Sequence, residues 1–424
     1  MSLYLGIDIG TSGVRTSVIN ETGTEIAAAS VKMPAPIRID DRPCQDAMIW
    51  WETVSQCLHN QATSLHEAGR EFSEIAALAV DGTSGTLLLT DADLKPLTLG
   101  YMYNSANFTA EADAIGRRAP ETSLARGTGS TLARLLFLRK QVGDASHALH
   151  QADWIAAKLM RHGGLSDETN VLKMGFDVQQ RIWPDWLSSF EVGLHPDVKP
   201  VGEMFGVVDG TMATQFGFSP DVKVIAGATD SNAAFLASGA SKVGEGVTSL
   251  GTTLAIKLLS DTPVSDPSRG IYSHRIKDMW LPGGASNSGG GVLQDHFTPL
   301  QMSQMERQLK PETPTGFDYY PLSRPGERFP IADPNLPPRL TPRPKDDVEF
   351  FQAMLEGISG IERVGYTALQ ELGAPTLNRV LTAGGGAQNQ AWTTIRSAKL
   401  AVPVGDAQSS NASVGAARIA AGLI

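Results

Sequence analysis

One pattern in this chain occurs twice, and it constrains the fold more than any other feature. Residues 3–9 (Leu-Tyr-Leu-Gly-Ile-Asp-Ile) are followed by Gly10-Thr11-Ser12-Gly13 and a second apolar run, 14–19. Residues 246–250 are followed by Gly251-Thr252-Thr253 and another run, 254–259. Short apolar runs bounded by glycine read as buried strands, and two of them around a tight turn read as an antiparallel hairpin. The pattern strand, Gly-Thr turn, strand therefore stands at 5–19 and again at 246–259. A repeat of this kind implies a duplicated fold, two related domains facing each other across a cleft. The length agrees: 424 residues, at about 100–200 residues per domain, predicts two domains.

The flanking sequence fills in an α/β architecture with mixed sheets. A third strand at 24–30 extends the first hairpin to a meander. Residues 46–68 carry helical periodicity. Residues 75–80 form a β-type run that ends at Asp81-Gly82-Thr83-Ser84-Gly85-Thr86, and 87–90 another that stops at Asp91-Ala92-Asp93. Residues 184–220 contain Pro184, Pro196, Pro200 and Pro220 and read as a connecting region. Residues 311–344 contain ten prolines and read as a long surface excursion. Helical periodicity returns at 346–372. A strand at 379–382 runs into Ala383-Gly384-Gly385-Gly386, a helix follows at 389–399, and a small-residue helix ends the chain at 413–422.

Composition excludes several classes. There are 35 Lys+Arg against 45 Asp+Glu, a net charge of −10, and no Lys/Arg-rich block, so nucleic-acid binding is disfavoured. An anionic ligand must be held by local devices instead of the overall field. Two cysteines, Cys44 and Cys57, cannot make a disulfide scaffold or a cysteine zinc site and read as reduced thiols of a cytoplasmic protein. The eight histidines show no HExxH or paired ligand spacing. No apolar run approaches the roughly 20 residues of a membrane span, and the N-terminus enters a strand with no signal-peptide pattern. Residues 134–140, including Arg134 and Lys140, read as a solvated helix face.

Four elements carry chemistry. Asp8-Ile9-Gly10-Thr11 places a carboxylate at a strand end beside bare backbone, a combination that holds Mg²⁺ through water and admits phosphate. It is equally a hairpin turn capped by a short polar residue. Its partner, Gly251-Thr252-Thr253, offers a second such turn, and two can clamp one phosphate chain. Gly384-Gly385-Gly386 lets backbone lie flat against a ligand, or simply turns a strand into a helix. Neither GxGxxG nor GxxxxGK[ST] occurs there, so neither a Rossmann site nor a P-loop is expected. Asp230 follows a strand at 224–228 and opens a helix. It is a candidate general base for phosphoryl transfer or a helix cap.

Together these motifs resemble a known set. Residues 5–15 (LGIDIGTSGVR), 227–234 (GATDSNAA), 249–253 (SLGTT) and 383–392 (AGGGAQNQAW) look like the FGGY carbohydrate kinases of the actin/Hsp70/hexokinase superfamily. The resemblance spans nearly the whole chain. It implies two ribonuclease-H-like domains hinged around a central cleft. The domain at 1–226 would bind mainly sugar and that at 227–411 mainly ATP, with a C-terminal helix at 412–424 packing back on the first. It implies ATP and Mg²⁺ as cofactors, Asp8 as the organiser of Mg²⁺ and as a sugar contact, and Asp230 as catalytic base. Thr11, Ser12, Gly251 and Thr252 would face the phosphates. Gly384, Gly385 and Asn389 would border the adenosine, with Trp392 near the base.

The sugar signal lies at 81–86. Xylulokinases resembling this chain carry Met-His-Gly there and glycerol kinases Arg-Glu; this chain has Thr83-Ser84-Gly85. Tyr101-Met102-Tyr103-Asn104 stands where many members carry Trp-Asn-Asp. These departures resemble a small cyanobacterial and plant subgroup labelled xylulose-kinase-like, which implies D-ribulose as acceptor, with Ser84, Asn104 and Asp230 on the sugar. Ser84 is equally a turn residue. Other ketoses or polyols (xylulose, L-ribulose, glycerol) remain open, as does a nucleotide-gated interaction protein of the actin/Hsp70 kind, or a sugar sensor. The partners expected are a small sugar and ATP, with the chain a monomer or homodimer.

Overall fold

The computed structural model describes residues 2–424. The chain divides into two compact units. The first comprises residues 1–237, 274–277 and 411–424; the second comprises 238–273 and 278–410. Each is built on a mixed sheet with helices packed on it.

In the first unit the strands are β1 (Leu3–Ile9), β2 (Gly13–Asn20), β3 (Glu25–Lys32), β4 (Ile75–Gly82), β5 (Met204–Val207) and β6 (Lys223–Thr229), arranged β5-β6-β4-β1-β2-β3. The hairpin β1–β2 and its extension to β3 are antiparallel. β4 lies parallel to β1, and β6 parallel to β4. β1 reads as a continuous apolar run because both its faces are covered. Helix α1 (Ala47–Glu67) buries Trp50, Val54, Cys57, Leu58 and Leu65 at helical spacing, and Asp46 caps it by accepting the Met48 N–H at 2.9 Å. The C-terminal helix Ala412–Ala420 packs on β1 so closely that a Cβ on Gly6 would lie 1.8 Å from the Ser413 carbonyl oxygen. On its other side a Cβ on Gly415 would meet the Ala233 carbonyl oxygen at 1.8 Å, inside α2 (Asp230–Ala237).

The second unit repeats the scheme. Its strands β7 (Glu245–Leu250), β8 (Leu254–Leu258), β9 (Met279–Ala285), β10 (Arg379–Ala383) and β11 (Val404–Asp406) run β9-β8-β7-β10-β11. β7–β8–β9 is an antiparallel meander, and β10 and β11 add on parallel. The duplication announced by the two Gly-Thr turns therefore extends to the order and direction of five strands. Helix α3 (Asp347–Glu371) lines the core with Phe350, Met354, Ile358, Ile361 and Leu369, and α4 (Gln390–Leu400) follows β10.

Three expectations need correction. The boundary between the units falls after Ala237, not between 226 and 227, because Ala228 and Thr229 pair with Asp81 and Gly82 in the first sheet. Residues 184–220 are not merely connecting: they hold strands Asp197–Lys199 and Met204–Val207 and helix Gly210–Phe216. Such pieces are too short to show periodicity. Residues 311–344 contain no helix or named strand, yet they are not confined to the surface. Phe329 is fully buried in the core of the second unit, and buried Glu327 accepts from Ser286 Oγ at 2.6 Å and the Asn287 N–H at 2.7 Å. Cys44 and Cys57 are both buried and free. No helix among the described residues is long and apolar enough to cross a membrane.

Candidate active site

The C-terminal ends of parallel strands are where open α/β sheets hold ligands. In the first unit β1, β4 and β6 end side by side, and each end carries a carboxylate. The register sets Asp8 opposite Asp81 and Ile9 opposite Gly82, and Thr229 opposite Gly82 on the other side of β4. Asp230 is the next residue. Asp8, Asp81 and Asp230 are thus gathered from three distant stretches of sequence. Asp8 and Asp230 were expected at the site. Asp81 was not, although Asp81-Gly82-Thr83 repeats the acid–glycine–threonine signal of Asp8-Ile9-Gly10-Thr11.

Their electrostatics differ. Asp8 is buried, and Arg15 Nη1 donates to its Oδ2 at 3.2 Å. Burial raises its carboxyl above the ordinary value, and Arg15 only partly offsets this. Asp81 is 0% exposed, and as a carboxylate neither of its oxygens has a hydrogen-bond donor. Burial, then the charges of Asp8 and Asp230, push it well above the usual carboxylate range; protonated, it donates to Asp8. Asp230 is half-buried, and its Oδ1 accepts the Ser231 N–H at 2.6 Å. Of the three it is the carboxylate most accessible to an incoming hydroxyl.

The elements expected at the sugar adjoin this cluster, beside a smaller sheet whose order is Ile37–Ile39, Arg42–Gln45, Gly100–Tyr101, Leu87–Thr90, His147–His150. In the turn at 83–86, Thr83 Oγ1 donates to Gln151 Oε1 at 2.8 Å and lies 2.6 Å from Thr86 Oγ1. Thr86 Oγ1 also accepts the Tyr103 N–H at 2.9 Å. These hydroxyls are engaged in holding the turn. The Ser84 hydroxyl and the exposed Asn104 side chain make no hydrogen bond among the described residues. Arg134 is not on a solvated face: it is 0% exposed. Its guanidinium donates to the carbonyls of Gly85 and, at 2.9 Å, Ser105, which ties the turn at 83–86 to the segment at 103–105. Periodicity marks Arg134 as helical but carries no sign of carbonyls waiting around it.

In the second unit the glycine turns converge. Gly251 N–H donates to the Thr253 carbonyl at 3.2 Å. The N–H groups of Gly290 and Gly291 donate to the carbonyls of Gly251 and Thr252 at 2.9 and 3.0 Å. Gly384 has φ +88, and a Cβ there would lie 2.8 Å from the Leu250 carbonyl oxygen. Gly251, Thr252, Gly384 and Gly385 are exposed, so three bare backbone segments lie against one another at the ends of β7 and β10. The run Ser288-Gly289-Gly290-Gly291 belongs to this group and was missed, although its triple glycine matches that at 384–386. Beneath the two strand ends, Thr248 and Thr382 are register partners. Thr248 Oγ1 donates to Glu362 Oε1 at 2.6 Å, Arg396 Nη1 donates to Thr382 Oγ1 at 2.6 Å, and the Arg396 fork grips Glu362.

Two residues expected at the adenosine do other work. Asn389 caps α4, its Oδ1 accepting the Trp392 N–H at 2.7 Å. Trp392 is only 3% exposed and its Nε1 donates to Ser359 Oγ at 3.1 Å. Its ring is core and has no face left for a base. In the first unit, the hydroxyls of half-buried Thr11 and exposed Ser12 make no hydrogen bond among the described residues.

No three His, Cys, Asp or Glu side chains among the described residues are gathered to enclose a metal ion. Mg²⁺ needs no such cage, since it takes one or two carboxylates and fills its shell with water and phosphate oxygens. The adjacent carboxyls of Asp8 and Asp81, the latter without a donor, fit that requirement.

Comparison with known proteins agrees with this arrangement. Residues 3–237 match the N-terminal domain, and residues 246–423 the C-terminal domain, of the FGGY family of carbohydrate kinases. The chain is similar to a xylulose kinase of Escherichia coli (strain K12), 24% identical over 420 residues that cover 92% of this chain and 83% of that protein. It is similar to a gluconokinase of Bacillus subtilis (strain 168), 23% identical over 440 residues, covering 93% and 82%. Its fold matches the crystal structure of a xyloylose kinase from Brucella ovis with a TM-score of 0.89 at 21% identity, covering 99% of this chain and 90% of that one. With both domain models matched over nearly its full length, the chain belongs to the FGGY family of carbohydrate kinases, an ATP-using phosphotransferase family.

Proposed function

We propose that the protein transfers the γ-phosphoryl group of Mg-ATP to a primary hydroxyl of a ketopentose, D-ribulose, giving D-ribulose 5-phosphate. The observation that carries this reading is the convergence of Asp8, Asp81 and Asp230 at three adjoining strand ends. Asp230, the accessible carboxylate, accepts the proton of the attacking hydroxyl. Asp8 and Asp81 hold the charge arrangement around it, and Ser84 and Asn104 supply free polar groups for the sugar's other hydroxyls. Thr11, Ser12, Gly251, Thr252, Gly384 and Gly385 bear on the nucleotide, with Asn389 shaping the turn by its cap. Mg²⁺, when bound, offsets the phosphate charge and is held through Asp8, usually by way of water. General-base catalysis contributes about 10²–10⁴-fold and positioning the remainder.

Thr83-Ser84-Gly85, in place of Met-His-Gly, supports D-ribulose. Xylulose is the second reading, supported by the similarity to xylulose kinases. The two sugars are epimers at C3, so they differ in the placement of one hydroxyl. The test is ADP release with Mg-ATP and D-ribulose, D-xylulose, gluconate, glycerol or no sugar. A steep, saturable response to D-ribulose supports the assignment. A preference for D-xylulose replaces it with the second reading, and a rate indifferent to sugar refutes both.

A further inference from the structure

The aim of Asp230 depends on a residue far from it in sequence. β6 is irregular just before Asp230: its register against β4 shifts between Ile225 and Ala228. A Cβ on Gly227 would lie 1.9 Å from the Val80 carbonyl oxygen, so this stretch is pressed against β4. The ladder alone does not fix the strand end. The last N–H of the strand, that of Thr229, donates instead to Thr169 Oγ1 at 2.9 Å, across 60 residues of sequence. The hydrogen of that hydroxyl is already committed, because Thr169 Oγ1 donates to Asp167 Oδ1 at 2.6 Å. A hydroxyl has one hydrogen to give. Donation to Asp167 therefore turns a lone pair toward Thr229 and fixes the direction of both bonds. Asp167 is itself held by the Thr169 N–H at 2.8 Å, the Asn170 N–H at 3.1 Å and Asn170 Nδ2 at 2.6 Å. Asp167, Thr169, Asn170 and Thr229 are all buried, so water does not replace a lost partner.

We infer that Thr169 is a positioning residue for phosphoryl transfer: its hydroxyl, oriented by Asp167, holds the backbone at Thr229 and thereby aims the carboxylate of Asp230. The inference rests on the reading of Asp230 as the base. Thr169 acts only through Thr229, so its loss affects turnover and leaves nucleotide binding alone. A second bond supports the same strand end, Asn232 Nδ2 donating to Thr229 Oγ1 at 2.9 Å. It holds the side chain, whereas Thr169 holds the main chain.

The test uses the full-length protein and the pair Thr169→Val and Thr169→Ser. Valine keeps the shape and removes the hydroxyl; serine restores it. Misplacing a reacting group by about 1 Å costs up to about 10²-fold, so Thr169→Val is expected to lower kcat about 10- to 100-fold. KM for ATP stays within about twofold, and amide hydrogen exchange at Thr229 speeds up. Thr169→Ser returns both kcat and exchange to within about threefold of the parent. A Thr169→Val protein with parental kcat overturns the inference. So does equal damage from valine and serine, which would assign the effect to packing. If the valine variant does not fold, Asp167→Ala decides. It removes the oxygen that accepts the Thr169 hydroxyl hydrogen, so a folded variant with parental kcat and parental exchange at Thr229 overturns the inference. Asp230→Asn separates the two failures. Normal turnover there removes the base and this inference with it, whereas an inactive Asp230→Asn beside a fully active Thr169→Val removes this inference alone.

Discussion

Replacing Arg396 with methionine tests what holds the ends of β7 and β10 in the second unit. Arg396 and Glu362 are both 0% exposed. Nε donates to Glu362 Oε2 and Nη2 to Oε1, each at 2.7 Å, and Nη1 reaches Thr382 at 2.6 Å. Burial on its own would lower the guanidinium, but the Glu362 charge and its hydrogen bonds outweigh this and hold Arg396 above its ordinary value. The same charge, with burial, pushes the Tyr366 hydroxyl up. Removing the cation leaves the Glu362 carboxylate buried, with the Thr248 hydroxyl still donating to it. Breaking a buried pair in this way costs about 3–5 kcal/mol, against a total stability of about 5–15 kcal/mol for a typical domain. At about 2–4 °C per kcal/mol for a domain of this size, the melting temperature should fall on the order of 10 °C. The double variant Arg396→Met/Glu362→Leu removes both charges and should recover most of the loss, since apolar replacement of a buried pair is often neutral. Calorimetry on the parent, both single variants and the double variant measures this. A single variant within about 1 kcal/mol of the parent, or a double variant worse than the sum of the singles, would refute the reasoning.

Three further outcomes are expected. Burial lowers Arg134 to about 10, so it stays charged at neutral pH; Arg134→Lys loses the fork that spans the Gly85 and Ser105 carbonyls. At about 1.5–3 kcal/mol per lost charge-assisted hydrogen bond, KM for sugar should rise about tenfold or more with KM for ATP unchanged; steady-state kinetics in each substrate checks this, and equal changes in both would contradict it. Gly415→Ala forces a Cβ to 1.8 Å from the Ala233 carbonyl oxygen; overpacking of this kind costs about 1–3 kcal/mol or more, and an unchanged urea midpoint would show that the C-terminal helix is not so tightly seated. Burial, with the Asp153 charge, raises Asp167 from 3.8 to about 6. The fold therefore disfavours its ionised form, so the stability it contributes is full below pH 3.8 and lost as pH rises through about 6. That difference corresponds to on the order of 3 kcal/mol. Asp167→Asn should flatten this part of the stability–pH curve relative to the parent, and identical curves would contradict it.

How much was legible in the sequence follows from the physics of each element. Helix α1 spans Ala47–Glu67 with caps at Asp46 and Ala68, where periodicity placed it at 46–68. Helix α3 lies at Asp347–Glu371 within the expected 346–372. Long amphipathic helices and buried hairpins carry their pattern in nearest-neighbour spacing. The duplicated meander was visible because both of its turns carry the Gly-Thr pattern between short apolar runs. The small sheet beside the turn at 83–86 was not, since strands such as Gly100–Tyr101 are too short to show a period. Asp81 was hidden for a different reason. Its importance arises from standing opposite Asp8 in a parallel register, and pairing between distant strands leaves no local signal. Trp392 shows the reverse error: the motif that contains it carries family meaning, but burial makes this aromatic a core residue. Arg134 and Thr169 act through backbone carbonyls and N–H groups far along the chain, which no pattern of side chains announces.

The most direct test of the central claim compares sugar-dependent ADP release by Asp230→Asn with that of the parent at saturating Mg-ATP, alongside a nucleotide-binding titration. The account predicts a kcat below about 1% of the parent, in line with the loss of a general base, with nucleotide binding retained. Near-normal turnover in Asp230→Asn would contradict it, and the proton of the attacking hydroxyl would then have to leave by another group.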